Sequence, residues 1–483
     1  MSGEGTIAAV LANEAAFSVS VGDCLPHLRA LPDASIDAIV TDPPAGIAFM
    51  AKAWDRDKGG RDQWIAWLAE IMRECLRVLK PGGYAVVWAL PRTSHWTATA
   101  IEDAGFEIRD KSYHLFGSGF PKSLSVSKEI DRIDGASAAR EVVSTYTAGG
   151  NAGVSTADKG GTYGVGVGTA PPVELAVTRG ASERSRAWDG WGTALKPAAE
   201  EWILARKPLE STVAANVLKH CTGALNIDGC RVATDWNEPD RPESWKRSGH
   251  TADADAEKIA APPGQGIECH PGGRWPSNVV FSHSVGCGDE CAEDCPVAEL
   301  GLQSGILRSG DIQGDCWAGG DSVSVAMGRK RAQLRRESIH ADTGTAARFF
   351  HCFRYEAKPS TSERDAGLDG FATKSGAELT GSKEGQARLA SPRSGAGRGG
   401  GRKNIHPTVK GLDHMRYLCR LVCRRGGIVL DPFAGSGSTG CAAAMERMRF
   451  VGFEMEAEHA EIARARIAYW EPRQAELFGE VGT

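Results

Sequence analysis

The hydrophobic pattern alternates between two periods. Ser18–Gly22 and Ile36–Thr41 read as short strands, and Asp42-Pro43-Pro44 stops the second because proline cannot extend a ladder. Gln63–Leu79 places Ile65, Leu68, Ile71, Met72, Leu76 and Leu79 at helical spacing. Lys80-Pro-Gly-Gly83 carries the residues of a helix stop. Tyr84–Leu90 is an unbroken apolar run, as in a strand covered on both faces. Ser94–Gly105 predicts a further helix and Phe106 onward a strand. The grammar returns near the end: helix Leu412–Cys423, strand Gly427–Leu430, helix Ser438–Met448, strand Phe450–Glu454, helix Glu458–Tyr469. Alternating strand and helix predicts an α/β fold around a mostly parallel sheet.

Composition changes this picture in two places. Glycine is abundant, 59 of 483 residues. Much of it falls in Gly149–Gly180 and Ala366–Gly401, which are poor in large apolar residues and read as flexible segments. The net charge of −5 excludes a chain basic throughout, so any grip on nucleic acid must be local. Candidate basic patches are Arg329-Lys-Arg331, Arg335-Arg336, Arg348 and Arg354, then Arg393, Arg398, Arg402 and Lys403. No acidic residue falls between Ala390 and Lys410. Solvated surface gives the same runs as phosphate contacts do. No apolar run reaches the roughly 18 residues of a membrane helix, and Met1–Glu14 lacks a cationic start before an apolar stretch. With 13 cysteines, an odd number, the expectation is a cytoplasmic protein with reduced thiols or a metal site.

The candidate chemistry lies at strand ends. Gly435-x-Gly437 follows a buried strand and opens a helix, and Glu454 ends the next strand 17 residues after Gly437. That spacing suits a carboxylate on ribose hydroxyls. The third glycine of a dinucleotide fingerprint is missing, which points to a nucleoside cofactor without pyrophosphate.

Here a resemblance becomes specific. Asp431-Pro432-Phe433-Ala434-Gly435-Ser-Gly437-Ser-Thr439 resembles the S-adenosylmethionine loop of DNA amino-methyltransferases. His406-Pro-Thr408-Val-Lys410 is similar to that family's His-Pro-Thr-x-Lys-Pro element, with Gly411 in the last place. Asp42-Pro43-Pro44-Ala45 resembles the catalytic Asp-Pro-Pro-Tyr, and Val21-Gly-Asp23-Cys the segment whose Asp reaches the cofactor adenine. Trp191–Lys207 resembles the strand that closes the catalytic half, and His114–Lys122 the loop lining the base pocket; an ordinary glycine turn reads the same way.

The resemblance implies a Rossmann-like, S-adenosylmethionine-dependent methyltransferase core, circularly permuted in the beta-group order, as carried by phages and prophages. It implies a catalytic half at 1–135, a flexible insert at 136–186, a core-closing strand at 187–210 and a target-recognition region at 211–365. A Gly-rich linker at 366–403 and the cofactor half at 404–483 complete it. The implied substrate is double-stranded DNA, methylated at adenine N6, with cytosine N4 and a silent DNA-binding homologue as alternatives. Asp before Pro-Pro, rather than Ser, leans toward adenine by family analogy. The cofactor residues would be Asp23, Thr408, Lys410, Asp431–Gly435, Gly437 and Glu454. The implied setting is a bacterial cell or a phage-infected bacterium, at the nucleoid, with a homodimer or a cognate restriction nuclease as further partners.

The chain departs from the family at Ala45, which offers no ring for stacking. Phe49, Trp54, Tyr113, His114 and Phe116 are the aromatic candidates to replace it. Separately, His283, Cys287, Cys291 and Cys295 recur every four residues. Thiolates and imidazole suit one structural zinc, with Cys287, Cys291 and Cys295 as core ligands and His283 or Cys269 as the fourth. Buried reduced cysteines packing as small hydrophobes give the same spacing.

Overall fold

The computed structural model describes residues 2–47, 53–56, 58–117, 123–148, 173–232, 273–284, 287, 291–292, 295–308, 343–353, 361–375, 378 and 401–471. The chain divides into two units. The first comprises Met1–Cys230, Asn278–Val297 and Cys352–Thr483, the second Arg231–Ser277 and Ala298–His351.

In chain order the strands are β1 (Ser2–Glu4), β2 (Ala15–Val21), β3 (Ile36–Thr41), β4 (Leu79–Ala89), β5 (Glu107–Leu115), β6 (Glu141–Ala148) and β7 (Val173–Arg179). They continue as β8 (Ala199–Arg206), β9 (Val279–Ser282), β10 (Leu307–Arg308), β11 (Thr343–Gly344), β12 (His351–Phe353), β13 (Ile428–Asp431) and β14 (Arg449–Glu454). Ten of the described strands form one sheet in the order β1-β2-β14-β13-β3-β4-β8-β5-β9-β12. Pairing is parallel from β1 to β4 and between β5 and β9, and β8 runs against both of its neighbours, β4 and β5. The predicted mostly parallel α/β core is therefore present, with β8 reversed. β13 and β14, from the end of the chain, sit between β2 and β3 from its start.

Side-chain alternation explains why the sheet is covered twice. Ile39, Val87, Ile203, Leu430 and Phe453 face one way. There they meet the helices Cys24–Ala30, Arg61–Val78 and Ser94–Asp103. Ala38, Val40, Val86, Trp202 and Val429 face the other. They pack on Leu412–Val422, Ser438–Met445 and Ala457–Trp470. With both faces buried, the central strands carry apolar residues on both sides, so they read as near-continuous runs rather than alternating ones.

Several expectations shift. Lys80-Pro-Gly-Gly83 is the irregular entry into β4, and the helix ends before it, at Val78. The ladder slips between Ile36 and Ala38, where buried Asp37 pairs with Lys80 at 2.7 Å and accepts Ile428 N–H at 2.8 Å. Within 187–210 only Ala199–Arg206 is strand. The insert 136–186, expected as flexible throughout, contains an antiparallel β6–β7 pair, Glu141 opposite Arg179, and a short helix Glu183–Arg186. Beside the strand pair Arg140 reaches buried Asp131 on the helix Val126–Ile133.

The second unit contains the antiparallel pair β10–β11. Arg274 donates to the Arg348 carbonyl at 3.1 Å and lies over the Phe349 ring, while Arg348 donates to the Thr345 carbonyl at 2.7 Å. Both guanidinium groups thus make bonds within this unit. Among the described residues no helix is long and apolar enough to cross a membrane.

Candidate active site

The C-terminal ends of β2, β13, β14 and β3 open into one cavity of about 520 Å³. This is where an open parallel sheet places a ligand, because the loops leaving neighbouring strands diverge there. Asp23, Asp42-Pro43-Pro44-Ala45, Trp54, His114 and Glu200 line it. So do His406–Gly411, Asp431–Ser436 and Glu454. Residues from the start, middle and end of the chain are therefore within one molecule's reach.

On the β13 side the loop is held from below. Asp431 accepts Thr41 and Thr439 hydroxyls at 2.6 Å each and the Phe433 N–H at 3.0 Å. Burial raises its pKa to about 6 against those hydrogen bonds. Asp431 thus braces the turn through its own carboxylate. Gly437 takes φ +77°, and a Cβ there would lie 2.9 Å from Ala463 Cβ. A side chain is excluded on both counts. Arg466, fully buried, donates to the Ser436 carbonyl at 2.6 Å from the helix Ala457–Trp470. Glu454 accepts Gly435 N–H at 2.8 Å and Glu456 N–H at 2.9 Å, which turns its carboxylate toward the glycine loop. Asp23 caps the helix Cys24–Ala30 through Leu25 N–H at 2.8 Å.

On the β3 side Asp42 meets a cation that the sequence reading grouped with the cofactor. Lys410 Nζ lies 3.3 Å from Asp42 Oδ2 and 3.7 Å from Glu200 Oε1. It also lies 4.3 Å from the centroid of the Trp88 ring and 5.6 Å from that of Trp202. Burial raises the Asp42 pKa to about 6, with Lys410 pulling it down and Glu200 pushing it up. For Lys410 burial acts to lower the pKa, but the two carboxylates outweigh it and the net direction is up. Glu200 was not singled out from the sequence. It sits at the start of β8, and because that strand is reversed its beginning lies level with the ends of its neighbours: His114 pairs with Glu200 in the ladder.

The loop after Asp42 is pinned by a second missed residue. Buried Asp55 accepts Gly46 N–H at 2.9 Å, tying the Asp-Pro-Pro segment to the turn Ala53–Asp55. Gly46 has φ +71°, and a Cβ there would meet the Trp64 ring at 2.6 Å. That turn brings Trp54 to the cavity, parallel to His406 within 11° at a centroid distance of 6.3 Å.

The other aromatic candidates separate. Phe49 lies outside the described residues. Phe116 packs edge-on against His114 and, like Tyr113, is not among the residues lining the cavity. His114 lines the cavity but is buried, with Nε2 2.6 Å from Ser282 Oγ, and burial lowers its pKa. Of the suggested zinc ligands, His283 joins Cys287, Cys291 and Cys295 in one cluster, and Cys269 lies outside the described residues. The basic residues 329–336, Arg354, Arg393 and Arg398 also lie outside them. Lys403 donates to the Asp369 carbonyl at 3.4 Å.

Comparison with known proteins follows the same residues. A family model described as DNA methylase, of the N6/N4 type, matches residues 36–116 and 315–465. The type II methyltransferase M.BamHI of Bacillus amyloliquefaciens is 34% identical over 71 residues, 15% of this chain and 17% of the relative. M.BglII of Bacillus subtilis is 32% identical over 87 residues, 18% of this chain and 21% of the relative. The match thus spans about a fifth of these curated relatives. Among solved structures, the cytosine-N4-specific PvuII DNA methyltransferase aligns over 95% of this chain and 93% of its own, at 13% identity and a TM-score of 0.37. The matched family segments carry Asp42-Pro-Pro, His406–Lys410 and the Asp431–Gly437 loop, and those motifs converge on one cavity at the sheet's edge. In its matched segments and in the order of its motifs the chain is similar to S-adenosylmethionine-dependent DNA amino-methyltransferases.

Proposed function

We propose that this protein transfers a methyl group from S-adenosylmethionine to the exocyclic N6 of adenine in double-stranded DNA. The observation that carries the reading is the shared cavity: the Asp42 carboxylate and the Gly435–Gly437 loop open onto the same space. An exocyclic amine is a weak nucleophile because its lone pair is delocalised into the ring. Asp42 accepting one N–H and the Pro43 carbonyl accepting the other would draw the nitrogen toward tetrahedral geometry. Proline contributes by fixing the backbone of that loop.

When bound, the cofactor supplies an electrophilic sulfonium methyl. Glu454 and Asp23, which line the cavity, are the residues we assign to its ribose and adenine. The loop braced by Asp431 and Arg466 gives it a fixed floor. Alignment of nitrogen and methyl is then a matter of positioning. The target base must leave the duplex to reach Asp42, and a flipped base needs an aromatic face. With alanine at position 45, Trp54 is the residue we assign that face, on its place in the cavity.

The deciding experiment incubates purified protein with S-adenosylmethionine and mixed-sequence duplex DNA, followed by mass spectrometry of the nucleosides. N6-methyladenine, absent with Asp42→Ala, is the expected product. N4-methylcytosine in its place would overturn the adenine assignment and keep the enzyme. No methylated base despite retained DNA binding would leave a silent homologue. Trp54→Ala is expected to raise KM for DNA about 5- to 100-fold, the loss of one stacking contact of about 1–3 kcal/mol. Trp54→Phe should recover most of it.

A further inference from the structure

Away from the cavity, the described residues include a second concentration of chemistry. His283 leaves the end of β9, Cys295 immediately precedes the helix Pro296–Ser304, and Cys287 and Cys291 lie on the segment between them. Their ligand atoms all fall within 4.8 Å of one another. His283 Nδ1 is 3.4 Å from both Cys291 Sγ and Cys295 Sγ. A tetrahedral zinc, with bonds of about 2.3 Å to sulfur and 2.0–2.1 Å to nitrogen, separates its ligand atoms by roughly 3.5–3.8 Å. The cluster is therefore already near the size of the coordination shell.

Two further features favour an ion over plain packing. Cys287 Sγ accepts the Ala292 N–H at 3.2 Å, the kind of bond that supports a thiolate. Two backbone turns brace the cysteines themselves, Cys287 N–H to the Ser284 carbonyl at 3.2 Å and Cys295 N–H to the Ala292 carbonyl at 3.1 Å. Cysteines that merely fill a core have no need to converge on a histidine nitrogen.

We infer that His283, Cys287, Cys291 and Cys295 bind one zinc ion. All four tetrahedral positions are then taken by protein, so the site is structural and has no open place for substrate. The ion ties the end of β9 to the start of the following helix. Ser282, one residue before the ligand His283, contacts the cavity-lining His114. Zinc would accordingly hold the strand that backs the cavity wall.

The test uses the full chain, purified without added metal or chelator. About one equivalent of zinc per chain is expected by elemental mass spectrometry. His283→Ala and Cys291→Ser should fall several-fold, whereas Cys352→Ser, on the neighbouring strand β12, should retain the ion. Replacing the metal of the wild-type chain with cobalt should give the visible bands of a tetrahedral thiolate site, a readout that does not depend on the variants folding. Folded wild-type protein with under about 0.3 equivalents of zinc, and no such bands after cobalt addition, would overturn the assignment. Retention in His283→Ala with loss in Cys352→Ser would overturn the ligand set.

Discussion

At the scale of single residues, the centre of the site is a buried carboxylate kept usable by one lysine. In the proposed reaction Asp42 accepts an amine N–H, which it does far better when ionised, and burial raises its pKa to about 6. A raised pKa means that the active, charged form is lost as pH falls through about 6, well above the range of an ordinary carboxylate. Single-turnover methyl transfer is expected to fall about tenfold per pH unit below that point and to level off above it. Lys410→Met removes the charge that holds this pKa down. The inflection should move to higher pH, and the rate on the plateau should drop about 10- to 100-fold, the loss of one charge-assisted interaction. An unchanged pH profile in that variant would show that Lys410 acts elsewhere. Asp42 was legible because Asp-Pro-Pro is a local motif. Glu200 was not, because its relevance comes from strand direction, and Asp55 was not, because its partner Gly46 N–H is a backbone group that leaves no mark in the sequence.

At the scale of elements, the site depends on turns that admit little substitution. The turn from β13 into the helix Ser438–Met445 has Gly437 in the left-handed region against Ala463. Gly437→Ala is expected to destabilise the protein by about 1–3 kcal/mol, from the backbone conformation and the overpacked contact. It should also weaken cofactor binding, since the same turn is the floor of the cavity; thermal unfolding and cofactor titration read the two effects separately. Arg466→Leu should act on the same turn, leaving the Ser436 carbonyl without its donor at about 1–3 kcal/mol. The helix periods placed Arg61–Val78, Leu412–Val422 and Ala457–Trp470 to within a few residues. They misplaced the start of β4, because Pro-Gly-Gly reads as a stop although the ladder and the ion pair Asp37–Lys80 carry the strand through it.

At the scale of the molecule, the cavity is assembled from residues between Gly22 and His459. A ligand seated there bridges strands from both ends of the chain and binds only the folded form. A cofactor product such as S-adenosylhomocysteine at 100 times its Kd is therefore expected to stabilise the protein by about 2.7 kcal/mol, seen as a rise in Tm. No shift at saturating ligand would contradict a cofactor site built this way. The net charge of −5 gives no uniform attraction to DNA. Arg348, one of the basic candidates, makes hydrogen bonds within its own unit.

The chain's own pattern determined the α/β class of the fold and the order of its Asp-Pro-Pro and glycine-loop motifs. Each of these is encoded within one short window: an apolar run, a helical period, a loop of glycine and proline. Tertiary structure decided which of those windows meet. It set β13 between β14 and β3, reversed β8 so that Glu200 reaches Lys410, brought Lys410 to Asp42, and chose Trp54 over Phe116 for the cavity wall. Such meetings depend on strand order and direction across hundreds of residues, and no local spacing records them.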